Sequence, residues 1–171
     1  DIPGFLKAFA DGDIEQAYNI LKQQNVLPEM CGYVCPATEQ CEGGCLEDIF
    51  CKNPLPIQDI QLVVARSARL KGIAALPLPS ETTGRHVGIV GGGPAGLACA
   101  IKLLEDGHLV TIYEAGQKIG GTPDATIPPE RFGNAQEEVQ AILEPAINAG
   151  RLEINYGKRL GQHFNIDELT S

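Results

Sequence analysis

The chain has 171 residues, 43% of them hydrophobic, with 13 Lys and Arg against 22 Asp and Glu and a formal net charge of −9. That length suits one or two small domains with a real core, and the acidic balance argues against nucleic acid or an anionic membrane as partner. No apolar run approaches the roughly 20 residues needed to span a bilayer, and Asp1-Ile2-Pro3 does not open a signal peptide, so a cytoplasmic location is expected.

Asp1 to Asn25 reads as helical scaffold. Asp13 can cap a segment with Ile14, Ala17, Tyr18 and Leu21 on one face, and Asn25-Val26-Leu27-Pro28 ends it. Five of the six cysteines follow within twenty-one residues: Cys31, Cys35, Cys41, Cys45 and Cys51. In a chain read as lacking a secretory signal, metal is the better reading than a disulfide framework. The first four are spaced C-x3-C-x5-C-x3-C in CGYVCPATEQCEGGC. Zinc ribbons and fingers separate their cysteine pairs by a longer insert. Here the inserts are short and Pro36 follows a cysteine, as in ferredoxin-type runs. Iron–sulfur is the leading reading, with zinc and free buried thiols as the alternatives. Cys51 breaks the spacing, and Cys99 reads as core packing.

Asn53-Pro54 opens a helical pattern to about Leu70, with Ile57, Ile60, Val63, Val64 and Ala68 apolar. Gln61 lies on it and by itself reads as a surface or capping amide. Gly72 to Arg85, with Pro77, Pro79, Ser80, Thr82 and Thr83, has the composition of a linker, and a domain boundary is expected there.

His86 to Gly121 organises the rest. The apolar run Val87–Val90 leads into Gly91-Gly92-Gly93-Pro94-Ala95-Gly96, then a helical face of Leu97, Ile101 and Leu104, then a second apolar run, Leu109 to Tyr113, ending at Glu114. Strand, glycine-rich turn, helix, strand and acid in that order form a dinucleotide fingerprint in its required context. Gly91 should make the tight turn, Gly93 should admit a pyrophosphate, and Gly96 should let the helix lie close against the strand. Pro94 suits the first helical turn, whose free N–H groups and positive dipole end face the phosphates. Glu114, eighteen residues beyond Gly96, would accept from a ribose diol and repel a ribose phosphate, which favours FAD or NAD over NADP.

Gly120-Gly121-Thr122 and Ile127-Pro128-Pro129-Glu130-Arg131-Phe132 read as loop beside this site. Arg131 reads equally as a charge for a phosphate or flavin and as a solvated arginine. Asn134 and Glu137 resemble a capping box, and Val139, Ile142, Leu143, Ala146 and Ile147 give one helical face. Pro145 should kink or split that helix. Leu152 to Tyr156 alternates as a short strand. His86, His108 and His163 do not cluster and read as surface or strand-edge residues. No Ser/His/Asp or paired-carboxylate constellation supports hydrolysis.

The cysteine run, a Gln on the following helix, GGGPAGL, YEA, GGT and IPPERF occur in that order. Together they resemble the small (beta) subunit of glutamate synthase and the N-terminal iron–sulfur/flavin region of dihydropyrimidine dehydrogenase, over essentially the whole chain. The resemblance implies that reduced nicotinamide passes hydride to FAD, and that electrons continue singly through two 4Fe–4S clusters to a larger catalytic subunit or domain. By position it implies Cys35, Cys41 and Gln61 on one cluster and Cys45 on the other, with Cys31 not a ligand. For FAD it implies Gly93 to Leu97 at the pyrophosphate, Glu114 at the ribose, Ala115 to Thr122 around it, Arg131, and Leu160 in the turn Gly157-Lys158-Arg159-Leu160. It further implies four cluster cysteines upstream, a second Rossmann domain for NADPH, and hence that the chain is a fragment whose ligand sets are completed elsewhere.

The expected fold class is α plus α/β: a helical iron–sulfur domain over residues 1–72, a linker over 73–85, and a partial Rossmann-type FAD domain over 86–171. Two rivals make other predictions. A zinc-stabilised interaction module fused to a nucleotide-binding unit would bind zinc without flavin, and half of a simple NAD-linked dehydrogenase would bind NAD without FAD.

Overall fold

The computed structural model describes residues 1–128, 130 and 135–169. It parts between Ala74 and Ala75 into two compact units.

The first unit is helical: α1 (Ile2–Ala10), α2 (Ile14–Lys22), α3 (Pro28–Val34), a 3-10 turn (Ala37–Glu39), α4 (Leu46–Cys51) and α5 (Ile57–Leu70). The expected N-terminal helical scaffold is divided into two helices. Gly12, at φ +81°, breaks it, and Asp13 caps α2 by accepting from the Gln16 N–H at 2.9 Å. Phe5, Ala8, Ala17, Tyr18 and Leu21 are buried between α1 and α2 and their neighbours. α5 packs against α1, α2 and α3, burying Ile57, Val64, Ala65 and Ala68. Val63, expected on that face, is 49% exposed, because it lies about 100° around the helix from Val64. A buried ion pair ties α5 to α3. Arg69 Nε donates to Glu29 Oε2 at 2.8 Å and a second guanidinium nitrogen to Oε1 at 3.2 Å, with the two side chains only 13% and 3% exposed.

The second unit runs β1 (His86–Val90), α6 (Pro94–Glu105), β2 (Leu109–Glu114), α7 (Thr122–Thr126), α8 (Ala135–Asn148), β3 (Leu152–Tyr156) and α9 (Ile166–Leu169). The sheet order is β1-β2-β3, all parallel, with Val90 opposite Tyr113 and Glu114 opposite Tyr156. The carboxyl ends of the three strands therefore line up at one edge, where ligands bind in open α/β sheets. Leu97, Ala100, Ile101 and Leu104 of α6 are fully buried with Val110 and Ile112 of β2. Cys99, expected in that core, is exposed, since it is two residues, a little over half a turn, from Leu97. On α8, Val139, Ile142, Leu143 and Ala146 are buried, but Ile147 is 44% exposed. Pro145 does not split α8, because the bond it forgoes falls close to the helix end, where few remain to lose.

The Pro- and Ser/Thr-rich stretch before β1 is tied to this sheet unit. Leu76 N–H donates to Ile142 O at 3.1 Å and Thr83 N–H to Gly107 O at 2.9 Å. The Arg151 guanidinium donates to Pro79 O at 2.6 Å and Ser80 O at 3.1 Å. The architecture is thus a helical N-terminal region followed by a small parallel sheet with flanking helices, a partial Rossmann fold. Among the described residues no helix is long and apolar enough to cross a membrane.

Arg69→Ala would leave the Glu29 carboxylate buried without its forked partner and should destabilise the helical unit by about 3–5 kcal/mol. Arg69→Lys should recover only part of that, since an ammonium cannot fork onto both oxygens. Denaturant unfolding followed by far-ultraviolet circular dichroism measures both.

Candidate cofactor and metal sites

The turn after β1 is shaped by what its glycines lack. Gly91 sits at φ +100°, in the region glycine favours, and donates to Tyr113 O at 2.9 Å. A Cβ on Gly96 would stand 2.0 Å from Gly91 O and 3.4 Å from Ile89 Cγ2, so the start of α6 lies directly on the turn and strand. A Cβ on Gly93 would meet nothing closer than Gly121 Cα at 3.9 Å, which leaves open space before the helix N-terminus. Pro94 occupies the first turn of α6 and Ala95 is exposed. The Leu97 side chain belongs to the core, and its N–H donates to Gly93 O at 2.9 Å. Gly120 N–H donates to Gly92 O at 2.8 Å, and a Cβ on Gly121 would stand 2.8 Å from Gly93 Cα. The second glycine pair, with Thr122 opening α7 behind it, is therefore packed on the first glycine turn.

Glu114 joins these pieces. Its Oε2 accepts from the Gly92 N–H at 2.7 Å and its Oε1 from the Gly116 N–H at 2.6 Å. A carboxylate offers about four acceptor positions, so capacity remains for a diol. Glu114 O accepts from Lys158 N–H at 2.8 Å and Gly116 O from Gly157 N–H at 3.0 Å. These bonds bring the Gly157–Leu160 turn alongside Ala115. Leu160 bridges to Phe164, whose ring centroid lies 4.9 Å from that of Tyr113. Sequence reading passed over Tyr156, opposite Glu114. Burial first, and the Glu114 charge second, push its phenol above the ordinary value. Its place as the last residue of β3, at the carboxyl edge of the sheet, was the available signal. Arg131 and the Asn134 cap lie outside the described residues.

In the helical unit, Cys35, Cys41 and Gln61 together line a cavity of about 220 Å³, walled also by Leu21, Gln40 and Ile57. The same three line a smaller cavity of about 90 Å³ with Cys31 and Gln58. Gln61 Nε2 donates to Pro28 O at 2.8 Å. That bond fixes which end of the amide is nitrogen and leaves Oε1 as the atom it can offer a metal. Cys35 Sγ donates to Gln40 Oε1 at 3.6 Å. Among the described residues no three His, Cys, Asp or Glu side chains converge on one ion, and the donors expected from the resemblance that meet at this cavity are two thiols and an amide oxygen, with Asp1, Gln24, Asn25 and Gln40 also on its wall. Thiolates suit iron–sulfur or zinc, but an amide oxygen stands outside the Cys/His sets of structural zinc sites. Cys45 is absent from both walls and sits at the start of α4. There the Leu55 N–H, helped by those of Glu47 and Asp48, holds its thiol below the ordinary value. Burial first, then the Glu42 charge, pushes Cys41 up.

Sequence reading also missed Gln58 and Glu42. Gln58 Nε2 donates to Gly32 O and to Cys35 O, and its backbone N–H donates to Glu42 Oε1 at 3.0 Å. Gln58 stands three residues before Gln61, hence on nearly the same helix face, which was the one clue to it.

Gly96→Ala should cost stability, by about 1–3 kcal/mol or more, because backbone must shift, whereas Gly93→Ala should leave the melting temperature nearly unchanged while weakening nucleotide binding. Thermal unfolding and equilibrium dialysis separate the two. In the metal-free chain, iodoacetamide should label Cys45 before Cys41 between pH 7 and 8, since the lowered thiol carries more thiolate there. Mass spectrometry of timed samples reads the order.

Residues 1–73 match the family described as dihydropyrimidine dehydrogenase domain II, 4Fe–4S cluster, and residues 89–131 match the NAD(P)-binding Rossmann-like domain. The glutamate synthase [NADPH] small chain of Escherichia coli K12 is 32% identical over 171 residues, covering 99% of this chain and 35% of the relative. That of Azospirillum brasilense is 34% identical over 121 residues, 71% of this chain and 25% of the relative. The NADPH-Fe(3+) oxidoreductase subunit beta of Geobacter sulfurreducens is 34% identical over 175 residues, 99% of this chain and 25% of the relative. The chain spans 25% to 35% of the length of these relatives. Over nearly its whole length the chain is thus homologous to about a third of the glutamate synthase small chain, with a match to the dihydropyrimidine dehydrogenase 4Fe–4S domain over residues 1–73 and to the NAD(P)-binding Rossmann-like domain over residues 89–131.

Proposed function

We propose that this chain is the electron-transfer portion of an NAD(P)H-dependent oxidoreductase, receiving electrons at FAD and passing them through 4Fe–4S clusters to a larger catalytic subunit or domain. The observation that carries this reading is the shared cavity of Cys35, Cys41 and Gln61, in a chain that also holds a glycine-rich turn closed by Glu114. Residues 1–72 would form the cluster domain and 86–171 the nucleotide domain, joined by 73–85. When bound, FAD supplies the junction between two-electron hydride chemistry and the one-electron chemistry of iron–sulfur clusters. The protein's part is to bind and orient. Gly93 leaves room for a pyrophosphate, the first turn of α6 offers it N–H groups and a positive dipole end, and Glu114 takes a ribose diol. Ala115, the Gly120-Gly121-Thr122 turn, Arg131 and Leu160 complete the proposed surround. Cys35, Cys41 and Gln61 would hold one cluster and Cys45 the other. The names of the relatives, an NADPH-dependent glutamate synthase chain and an NADPH-Fe(3+) oxidoreductase subunit, support the class of reaction.

The description of the Rossmann-like family as NAD(P)-binding favours a second reading, in which a nicotinamide dinucleotide occupies the same turn. The full-length protein, purified without oxygen, distinguishes them by flavin, iron, sulfide and zinc analysis. FAD together with iron and sulfide is the expected result. Iron without flavin, with NADH bound at the Glu114 site, would favour the second reading, and zinc with neither flavin nor iron would sink both. Glu114→Ala should weaken FAD binding roughly 10- to 100-fold, the worth of hydrogen bonds to a charged group. Gln61→Ala should lower the iron content, while Gln61→Glu, which keeps an oxygen donor in place, should retain it.

A further inference from the structure

Gln58 does something the proposed donor set does not account for. Its side-chain amide has two hydrogens, and both are used, on the carbonyls of Gly32 and Cys35. Those carbonyls flank the C-terminal end of α3, where the last helical carbonyls have no partner within the helix. The backbone N–H of the same residue lies in the first turn of α5, whose N-cap, Pro56, offers no side-chain acceptor. Glu42, next to Cys41, supplies one from a distance. The turn that carries Cys35, the turn that carries Cys41 and the helix that carries Gln61 therefore meet at one residue.

We propose that Gln58 is a positioning residue: its amide clamps the Cys35 turn, and its N–H the Cys41–Glu42 turn, to the helix turn that presents Gln61, and so sets the spacing of the three donors. The proposal rests on the reading of Cys35, Cys41 and Gln61 as ligands. Gln58 itself lines only the smaller of the two cavities, whereas Gln61 lines both, and both hydrogens of its amide are committed to the protein. Replacing the amide by an apolar group takes the side-chain donor from Gly32 O and leaves Cys35 O with the Ala37 N–H, at 3.0 Å, and the Cys35 turn loses its tie to α5. Gln58→Glu is harsher, since a carboxylate facing two carbonyls can only accept. Gln58→Lys keeps a donor that can reach both.

The test compares the full-length protein, loaded with iron and sulfide without oxygen, as wild type and as Gln58→Leu, Gln58→Glu and Gln58→Lys. Iron retention against a ferrous chelator and the electron paramagnetic resonance spectrum of the reduced protein are the readouts, with thermal unfolding of the metal-free protein as control. Loss of a group that orients metal ligands typically weakens binding roughly 10- to 100-fold. The Leu and Glu variants should hold iron more weakly by that factor and show an altered spectrum, and the Lys variant should move both back toward wild type. Wild-type retention and spectra in all three, with Gln61→Ala still losing iron, would overturn the clamp and leave the metal site standing. Iron loss that merely follows the unfolding temperature, equally in the Lys and Leu variants, would also overturn it. Unchanged iron in Gln61→Ala and Cys41→Ala would remove the site and the clamp together.

Discussion

The sheet unit depends on two places where backbone crosses backbone with no room for a Cβ. One is Gly96 over Gly91 O, the other Gly121 over Gly93. The first sets α6 directly on the end of β1, so the N-terminus of that helix faces the carboxyl edge of the sheet. The second lays the Gly120-Gly121 turn against the same segment. Glu114 then bonds to the N–H groups of Gly92 and Gly116, so one carboxylate joins the end of β2 to both sides of the turn. A larger residue at either crossing would move the helix start, the second turn and the carboxylate at once.

In the helical unit the corresponding role falls to α5. It buries one face against α1, α2 and α3, but its distinctive contacts are polar. Gln58 and Gln61 donate to carbonyls of α3 and the residue after it, and Arg69 reaches Glu29 on the same helix. The seven-residue α3 buries Pro28 and Met30, and three side chains along α5 add polar ties to that packing. The cavity lined by Cys35, Cys41 and Gln61 lies where these contacts concentrate.

The element order of both units was legible in the sequence wherever hydrophobic period and glycine placement agreed. β1 and β2 followed from their apolar runs, β3 from alternation, and α6 from Leu97, Ile101 and Leu104 behind the glycine run. Errors came one residue off a stripe: Val63, Cys99 and Ile147 are apolar neighbours of buried positions and face outward, because adjacent helix positions differ by about 100°. The cysteine spacing indicated metal chemistry. Which cysteines share a cavity was not legible, because even spacing does not show that Cys31, Cys35 and Cys41 come to one cavity while Cys45, at the N-cap of α4, stands off it. Gln61 was marked out only by resemblance, and Gln58 by nothing beyond its spacing from Gln61. Amide side chains carry no periodic signature, and their partners here are backbone carbonyls, which every sequence has.

The all-parallel pairing of β1, β2 and β3 has a consequence for the order in which the chain takes shape. Parallel neighbours cannot be joined by a tight turn, so each pair forms only after a whole crossover has been closed, and topologies rich in such distant pairings fold slowly. Helices that pack on near neighbours in sequence, as α1 and α2 do, face no such delay. The helical unit also leaves the ribosome first, and domains generally fold in the order they emerge. The cysteine-bearing half should thus be shaped, and its thiols gathered, while the strands of the nucleotide half are still unpaired.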